Sequence, residues 1–276
     1  MFHPKNPREA LPTMYDLPAE QVGDPGMPDI FHVWQTRLLD ETFHPPNYAP
    51  EEVFSACDLN LYYNVHDFTQ YKRPDWFAVV GLPKLPTKPD MRLSYVIWQE
   101  GVVPLLVVEL LSPGTQKEGL GETLCEAGSA PPKWEVYERW LRVPYYVTFS
   151  RYTDELRIFE LVKTRYREVK DHQGRFWLEE VALGLGLWQG SYLNEERLWL
   201  RWYDRAGLWL PTQEEEVARR NQQIAQRDQQ IAQQEELLEQ ERQRLAQERN
   251  EKEAAQQKAQ QLAAKLRELG IDPDQV

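Results

Sequence analysis

The segment Leu105-Leu106-Val107-Val108-Glu109-Leu110-Leu111 is the most apolar stretch of the chain, and it carries one acid in its middle. Unbroken apolar runs of this length are typical of strands that are buried on both faces of a sheet. A carboxylate in such a strand is costly unless a cation or another partner compensates its charge. We therefore predict a central strand in which Glu109 is a metal ligand or a catalytic acid. The alternative is a glutamate that faces the surface or pairs with an arginine.

The segments on either side alternate between helix and strand patterns. Apolar residues have helical spacing over 30–39 and 133–141. Strand patterns lie at 58–64, 76–80, 93–98, 145–149 and 156–161, with further short strands expected over 176–209. This order predicts an α/β fold with a mixed sheet flanked by helices. We place this domain at residues 28–212, after a proline-rich and irregular segment at 1–27.

A second acid, Asp75, stands directly before the apolar segment 76–80 and after Pro74. Proline holds the chain extended at this point. An aspartate before a strand is often only a turn or capping residue. If the two apolar segments are neighbouring strands, however, Asp75 and Glu109 lie close together. With the backbone carbonyl of Leu110 they would offer oxygen ligands to Mg²⁺ or Mn²⁺.

A lysine, Lys133, opens the second predicted helix after two prolines, one turn before Tyr137. A lysine beside a metal can position water or offset the negative charge of a phosphate. Alone, it is an ordinary surface residue.

Several segments together resemble the Uma-two family of restriction-endonuclease-like proteins. The longest are RPDWFAVVG (73–81), LLVVELLSPGT (105–115) and KWEVYERWLRVPYYVTFS (133–150). Shorter ones are DLNLYY (58–63), LSYVIWQEG (93–101), GLGLWQG (184–190) and LWLRWYD (198–204). The resemblance covers nearly all of residues 14–212. It implies a restriction-endonuclease-like mixed sheet flanked by helices, with a PD-(D/E)xK active site.

The resemblance also assigns roles to individual residues. Asp75 matches the aspartate of the PD element, and Glu109 matches the second acid. The lysine expected two residues later is absent, since Leu111 stands there. In this family the lysine has moved to the following helix, where Lys133 matches it. Lys117 is the nearer competitor, but the Tyr137 and VPYY that follow Lys133 fit the family pattern.

The implied activity is metal-dependent endonucleolytic hydrolysis of phosphodiester bonds in DNA, with Mg²⁺ or Mn²⁺ as cofactor. His32, on the first helix, is a possible accessory residue of the same site. Lys72 and Arg73 are candidates for contacts with nucleic-acid phosphates. An alternative function is that of a catalytically idle scaffold or binding protein on a nuclease fold. A glycosidase with two acids is less favoured, because neither acid lies in a segment that resembles a hydrolase motif.

Composition limits the setting of the protein. The formal net charge is -12, which argues against wholesale coating of nucleic acid but not against a local basic groove. Two cysteines make no disulfide framework. No apolar run is long enough to span a bilayer, and the N-terminus has no apolar signal core. We expect a cytoplasmic protein without a membrane anchor.

Residues 213–276 contain no aromatic residue and carry a seven-residue repeat. One apolar stripe consists of Val217, Ile224, Ile231, Leu238 and Leu245. The second seam of the repeat is polar, with Arg227, Gln234, Glu241 and Glu248. This pattern predicts a long C-terminal α-helix that forms a weak coiled coil. Residues 214–269 are expected to pair with a second copy of the chain or with a partner protein, although a solvated single helix is the alternative.

Overall fold

The computed structural model describes residues 29–82, 91–122, 130–169 and 174–268. The predicted irregular segment 1–27 lies outside these residues. By their internal contacts, the described residues form two units that divide between Thr212 and Gln213.

The first unit contains twelve strands and four short or medium helices among its described residues. The strands are β1 (Val53–Cys57), β2 (Leu61–Tyr62), β3 (Tyr71–Lys72), β4 (Trp76–Val80), β5 (Tyr95–Val96), β6 (Leu106–Leu110), β7 (Tyr145–Ser150), β8 (Glu155–Val162), β9 (Arg165–Glu168), β10 (Arg175–Leu178), β11 (Leu183–Tyr192) and β12 (Glu195–Tyr203). The helices are α1 (Ile30–Thr42), α2 (Ile97–Glu100), α3 (Gln116–Gly119) and α4 (Lys133–Glu135). A 3₁₀ turn, Pro50–Glu52, precedes β1, and a π-helical turn, Val136–Leu141, continues α4.

A six-stranded mixed sheet in the order β1-β4-β6-β7-β8-β9 forms the centre of this unit. β6 and β7 are parallel, and the other pairs are antiparallel. All five residues of β6 are buried, so the most apolar segment is a central strand, as predicted. The mixed sheet and its helices agree with the restriction-endonuclease-like fold that the resemblance implies.

Each face of β6 packs into its own apolar cluster, because side chains alternate along a strand. Leu106, Val108 and Leu110 pack with α1 and with the three-stranded sheet β10-β11-β12. Val107 packs on the opposite face with the π-helical turn and with the small sheet β3-β2-β5. Glu109 is two residues from Val107 and therefore belongs to that second face.

Helix α1 is fixed to β12 by a buried side chain. Gln35 donates to the Leu200 carbonyl (2.8 Å) and accepts from the Leu200 N–H (2.9 Å). The Phe31 ring stacks on Trp199, with a centroid distance of 5.6 Å. These contacts hold the first turn of α1 at one place on the domain.

Some elements differ from the sequence prediction. The segment 93–98 forms a strand only at Tyr95–Val96 and then turns into α2, which ends at Gly101 in the left-handed region. The predicted helix 133–141 is one α-helical turn followed by the wider π-helical turn. Strands β1, β3 and β9 were not predicted.

The second unit is the single helix α5, Gln213–Glu268, of 56 residues. The predicted long C-terminal helix is therefore confirmed. The five apolar stripe residues from Val217 to Leu245 are each more than half exposed. Among the described helices, none combines the length and apolar character that a bilayer span requires.

Candidate active site

Strand pairing brings the two predicted acids together. β4 and β6 pair with Trp76 opposite Val108. One further step along this antiparallel register places Asp75 opposite Glu109, and residues opposite each other share one face of the sheet. Asp75 Oδ2 accepts a hydrogen bond from the Leu110 N–H at 2.6 Å, which fixes the aspartate at the end of the central strand.

Glu109 is 3% exposed and has a hydrogen-bond donor at each carboxylate oxygen. Lys133 Nζ lies 2.7 Å from Oε2. The Tyr137 hydroxyl donates to Oε1 at 2.9 Å. Both donors come from the connection between β6 and β7. The backbone N–H of Lys133 in turn donates to Glu118 Oε1 at 3.0 Å, which positions the first turn of α4.

Charge in this cluster is incompletely balanced. Burial raises the pKa of Glu109 to about 7, against the lowering effect of Lys133, and the charge of Asp75 raises it further. Burial alone would lower the pKa of Lys133, but the charges of Glu109 and Asp75 outweigh it and raise that pKa. Lys133 is therefore an ammonium. It can balance one carboxylate, so ionisation of both acids favours an additional cation.

His32 reaches the same place from the other face of the sheet. Its Nδ1 lies 2.9 Å from Asp29 Oδ1, and its Nε2 lies 3.1 Å from the Leu110 carbonyl oxygen. Both partners offer acceptor oxygens, so a ring that is protonated at both nitrogens satisfies both contacts. Burial lowers the pKa of His32, but the bond to Asp29 and the charges of Asp75 and Asp29 raise it above its ordinary value overall.

A cavity of about 560 Å³ connects these groups. His32, Asp75, Glu109, Leu110 and Lys133 all line it. The structure thus places the three predicted catalytic residues, the predicted carbonyl ligand and the accessory histidine on one cavity wall.

Comparison with known protein families identifies the family of the chain. The model of the Uma2 family, whose description is "Putative restriction endonuclease", matches residues 9–194. The chain belongs to the Uma2 family. The matched region includes Asp75, Glu109 and Lys133. No curated protein matches the chain.

The oxygen set at the Uma2 site fits a hard divalent cation. Restriction-endonuclease-like families typically use a divalent metal. Asp75 and Glu109 supply carboxylates and Leu110 a carbonyl, which are ligands that Mg²⁺ and Mn²⁺ prefer. A carboxylate has about four lone-pair sites and a carbonyl two, so each group keeps acceptor capacity beside its present donor. Within the described ranges, no cluster of three or more His, Cys, Asp or Glu side chains could hold a metal, so the backbone carbonyl matters here.

The other predicted residues of the Uma2 chain differ in their contacts and in whether they line the cavity. Lys117 is exposed on α3 and does not line the described cavity, whereas Lys133 does. Lys72 Nζ lies 4.0 Å from Glu118 Oε1. Arg73 lines the cavity, and its guanidinium lies 3.1 Å from Asp58 Oδ2.

The sequence did not indicate the supporting residues Asp29 and Glu118. Asp29 is the N-cap of α1, with its side chain accepting from the His32 N–H, and an aspartate before an apolar helix pattern is a usable signal. Glu118 carries no such signal. Tyr137 was noted for the family pattern, but its bond to Glu109 depends on how the connection docks.

Proposed function

We propose that this Uma2 protein is a metal-dependent endonuclease that hydrolyses phosphodiester bonds in DNA. One observation carries the proposal: Asp75, Glu109 and the Lys133 ammonium meet on the wall of one cavity, with Lys133 2.7 Å from Glu109. Membership of the Uma2 family supports it. The cytoplasmic location stays a prediction.

We assign the metal to Asp75, Glu109 and the Leu110 carbonyl, with Mg²⁺ or Mn²⁺ as the ion. A bound divalent ion would polarise the scissile phosphate and lower the pKa of a coordinated water. The Asp75 and Glu109 side chains hold the ligand oxygens on neighbouring strands. Tyr137 orients the Glu109 carboxylate through Oε1.

Lys133 acts as a positive charge in this proposal. Because it is protonated beside Glu109, it cannot take a proton from water in this state. Its ammonium instead offsets the charge that develops on the phosphate oxygens and helps to orient the attacking water. Arg73, which lines the cavity, and Lys72 are proposed phosphate contacts.

The second candidate is an idle nuclease-fold scaffold, and the exposed apolar stripe on α5 favours it. We also propose that α5 pairs with α5 of a second copy through this stripe. Residues that recur every seven positions stay on one face of a coiled-coil helix, and burial of that face stabilises association.

The test compares wild-type protein with Asp75→Asn and Glu109→Gln. We expect wild type to nick plasmid DNA with Mg²⁺ or Mn²⁺, and each variant to lose about 100-fold or more of this activity. Isothermal titration calorimetry should detect Mn²⁺ binding by wild type and much weaker binding by the variants. Thermal unfolding checks that both variants fold.

The matched control is Glu51→Gln, an exposed glutamate outside the cavity, which should keep both activity and Mn²⁺ binding. A wild-type protein that neither binds Mn²⁺ nor cleaves DNA would favour the scaffold. Residual cleavage of the same size in wild type and both variants would remove the assignment of the two acids.

A further inference from the structure

Two arginines without an assigned role meet at one phenylalanine beside the candidate site. The guanidinium carbons of Arg151 and Arg197 lie 5.8 Å and 4.5 Å from the Phe31 ring centroid. Phe31 is the neighbour of His32, whose Nε2 lies 3.1 Å from the Leu110 carbonyl oxygen. Arg151 is linked to the Leu110 carbonyl through Asp29 and His32, and Arg197 lies on the same side at Phe31.

Sheet topology explains how they come together. β6 and β7 are parallel, with Leu110 opposite Phe149, so both strands end at the same edge of the sheet. Arg151 directly follows β7 and stands at that edge. Arg197 lies on β12, the strand to which Gln35 fixes α1. Packing of α1 on β12 thus brings Arg197 to the first turn of α1.

Both arginines have hydrogen-bonding capacity that the described residues leave unused. The Nε atoms of Arg151 and Arg197 are shielded and have no acceptor among the described residues. Shielded donors without acceptors are uncommon in folded proteins, and each calls for an explanation. Because each Nε is shielded, contacts with a ligand fall to the terminal nitrogens of the two guanidinium groups.

The local charge is positive although the whole chain is acidic. Arg151 is ion-paired with Asp29 and donates to the Tyr152 hydroxyl at 3.0 Å. Among the described residues, no carboxylate pairs with Arg197, whose guanidinium contacts only the Phe31 and Trp199 rings as a cation. Two guanidinium groups at Phe31 therefore have one paired carboxylate between them, that of Asp29.

We propose that Arg151 and Arg197 bind backbone phosphates of the DNA substrate where it leaves the cavity past the first turn of α1. This inference rests on the proposed nuclease function. A guanidinium fork matches two phosphate oxygens, and stacking on an aromatic ring leaves its edge donors free for them. Arg197 differs from Arg73, which has Asp58 as an ion-pair partner, in that no carboxylate of the described residues pairs with it.

The test measures binding of a fluorescein-labelled DNA duplex by full-length Glu109→Gln protein, which should bind without turnover. Fluorescence anisotropy is recorded over a salt series for this protein and with Arg151→Gln or Arg197→Gln added. We expect each arginine variant to bind about tenfold more weakly, and the slope of log affinity against log salt to shrink by about 0.9 per lost contact.

The matched control is Arg167→Gln, since Arg167 is exposed on β9 and does not line the cavity; it should change neither quantity. Arg197→Lys separates charge from packing on Phe31: it should keep the salt slope of the parent while losing part of the affinity. Thermal unfolding identifies any variant that fails to fold.

The outcomes separate this inference from the proposed function. If both arginine variants bind like the Arg167→Gln control while wild type cleaves DNA, the phosphate contacts are wrong and the nuclease stands. If the arginine variants weaken binding but wild type cleaves nothing, the phosphate contacts stand and the nuclease is wrong. If Glu109→Gln protein does not bind the duplex at low salt, the phosphate contacts are overturned, and cleavage by wild type alone decides the nuclease.

Discussion

At Glu109, the sequence predicted the acid of the site but not the groups that bind it. An acid inside a buried strand needs a partner, so the apolar pattern alone singled out Glu109. Its donors could not be read in the same way. Leu111 stands where a lysine on the strand would share the face of Glu109, and the ammonium comes instead from Lys133, 24 residues after the acid.

His32 makes a residue-scale prediction about pH. Because its pKa is raised in the fold, the protonated ring is favoured, and its contact with ionised Asp29 is fully stabilising below about pH 6.5 and is lost as the pH rises through the folded-state pKa. We expect His32→Gln to lower the free energy of unfolding more at about pH 5.5 than at about pH 8.5. Urea denaturation measures this, with the exposed His66→Gln as control. An effect of equal size at both pH values would contradict it.

At the scale of elements, long apolar segments were predictable and short paired segments were not. Strands β4, β6 and β7 follow from their own residues, because burial dictates them. Strands β1 and β9 depend on pairing with β4 and β8, so their sequences carry little signal. The same holds for the site. The acids lie at predictable strands, whereas Tyr137 reaches Glu109 only because the connection between β6 and β7 packs against the sheet.

A substitution at Tyr137 tests how that connection packs against Glu109. Tyr137→Phe removes the donor to Oε1 of a buried carboxylate, so we expect the free energy of unfolding to fall by about 1–3 kcal/mol. Urea denaturation should show a smaller loss when Glu109→Gln is already present, because the two residues act through one bond. Tyr71→Phe, on an exposed tyrosine, is the control. A loss that is independent of residue 109 would assign Tyr137 to packing alone.

At the scale of the whole molecule, the chain combines a cavity-bearing domain with a helix that lacks a core of its own. The domain, residues 1–212, carries 30 acids and 22 Lys and Arg residues, a net charge of -8, and the tail carries 14 acids and 10 such bases, a net charge of -4. General electrostatic attraction to DNA is therefore absent, and any binding must come from local groups such as Arg151 and Arg197.

The exposed apolar stripe of helix α5 predicts that the whole molecule associates with a second copy. Full-length protein should sediment as an oligomer whose mass falls on dilution, because one seam of the repeat is apolar and the other is polar. Ile231→Glu with Leu238→Glu should sediment as a monomer and lose helical circular dichroism, since a solvated helix of this composition is marginal alone. Gln234→Glu, in the polar seam, is the control. A monomeric wild type would exclude pairing through α5.

The parallel β6–β7 pair also sets an order of assembly. Parallel strands cannot form a tight hairpin, so the chain must close a long crossover before they pair, and that crossover carries Lys133 and Tyr137. Until it docks, Glu109 has neither donor, and a carboxylate sealed in the apolar sheet would be favoured in its protonated form. Completion of the central sheet and the charge of its acid are therefore coupled, because the docked crossover supplies the ammonium and the hydroxyl that favour ionised Glu109 once the strand is buried.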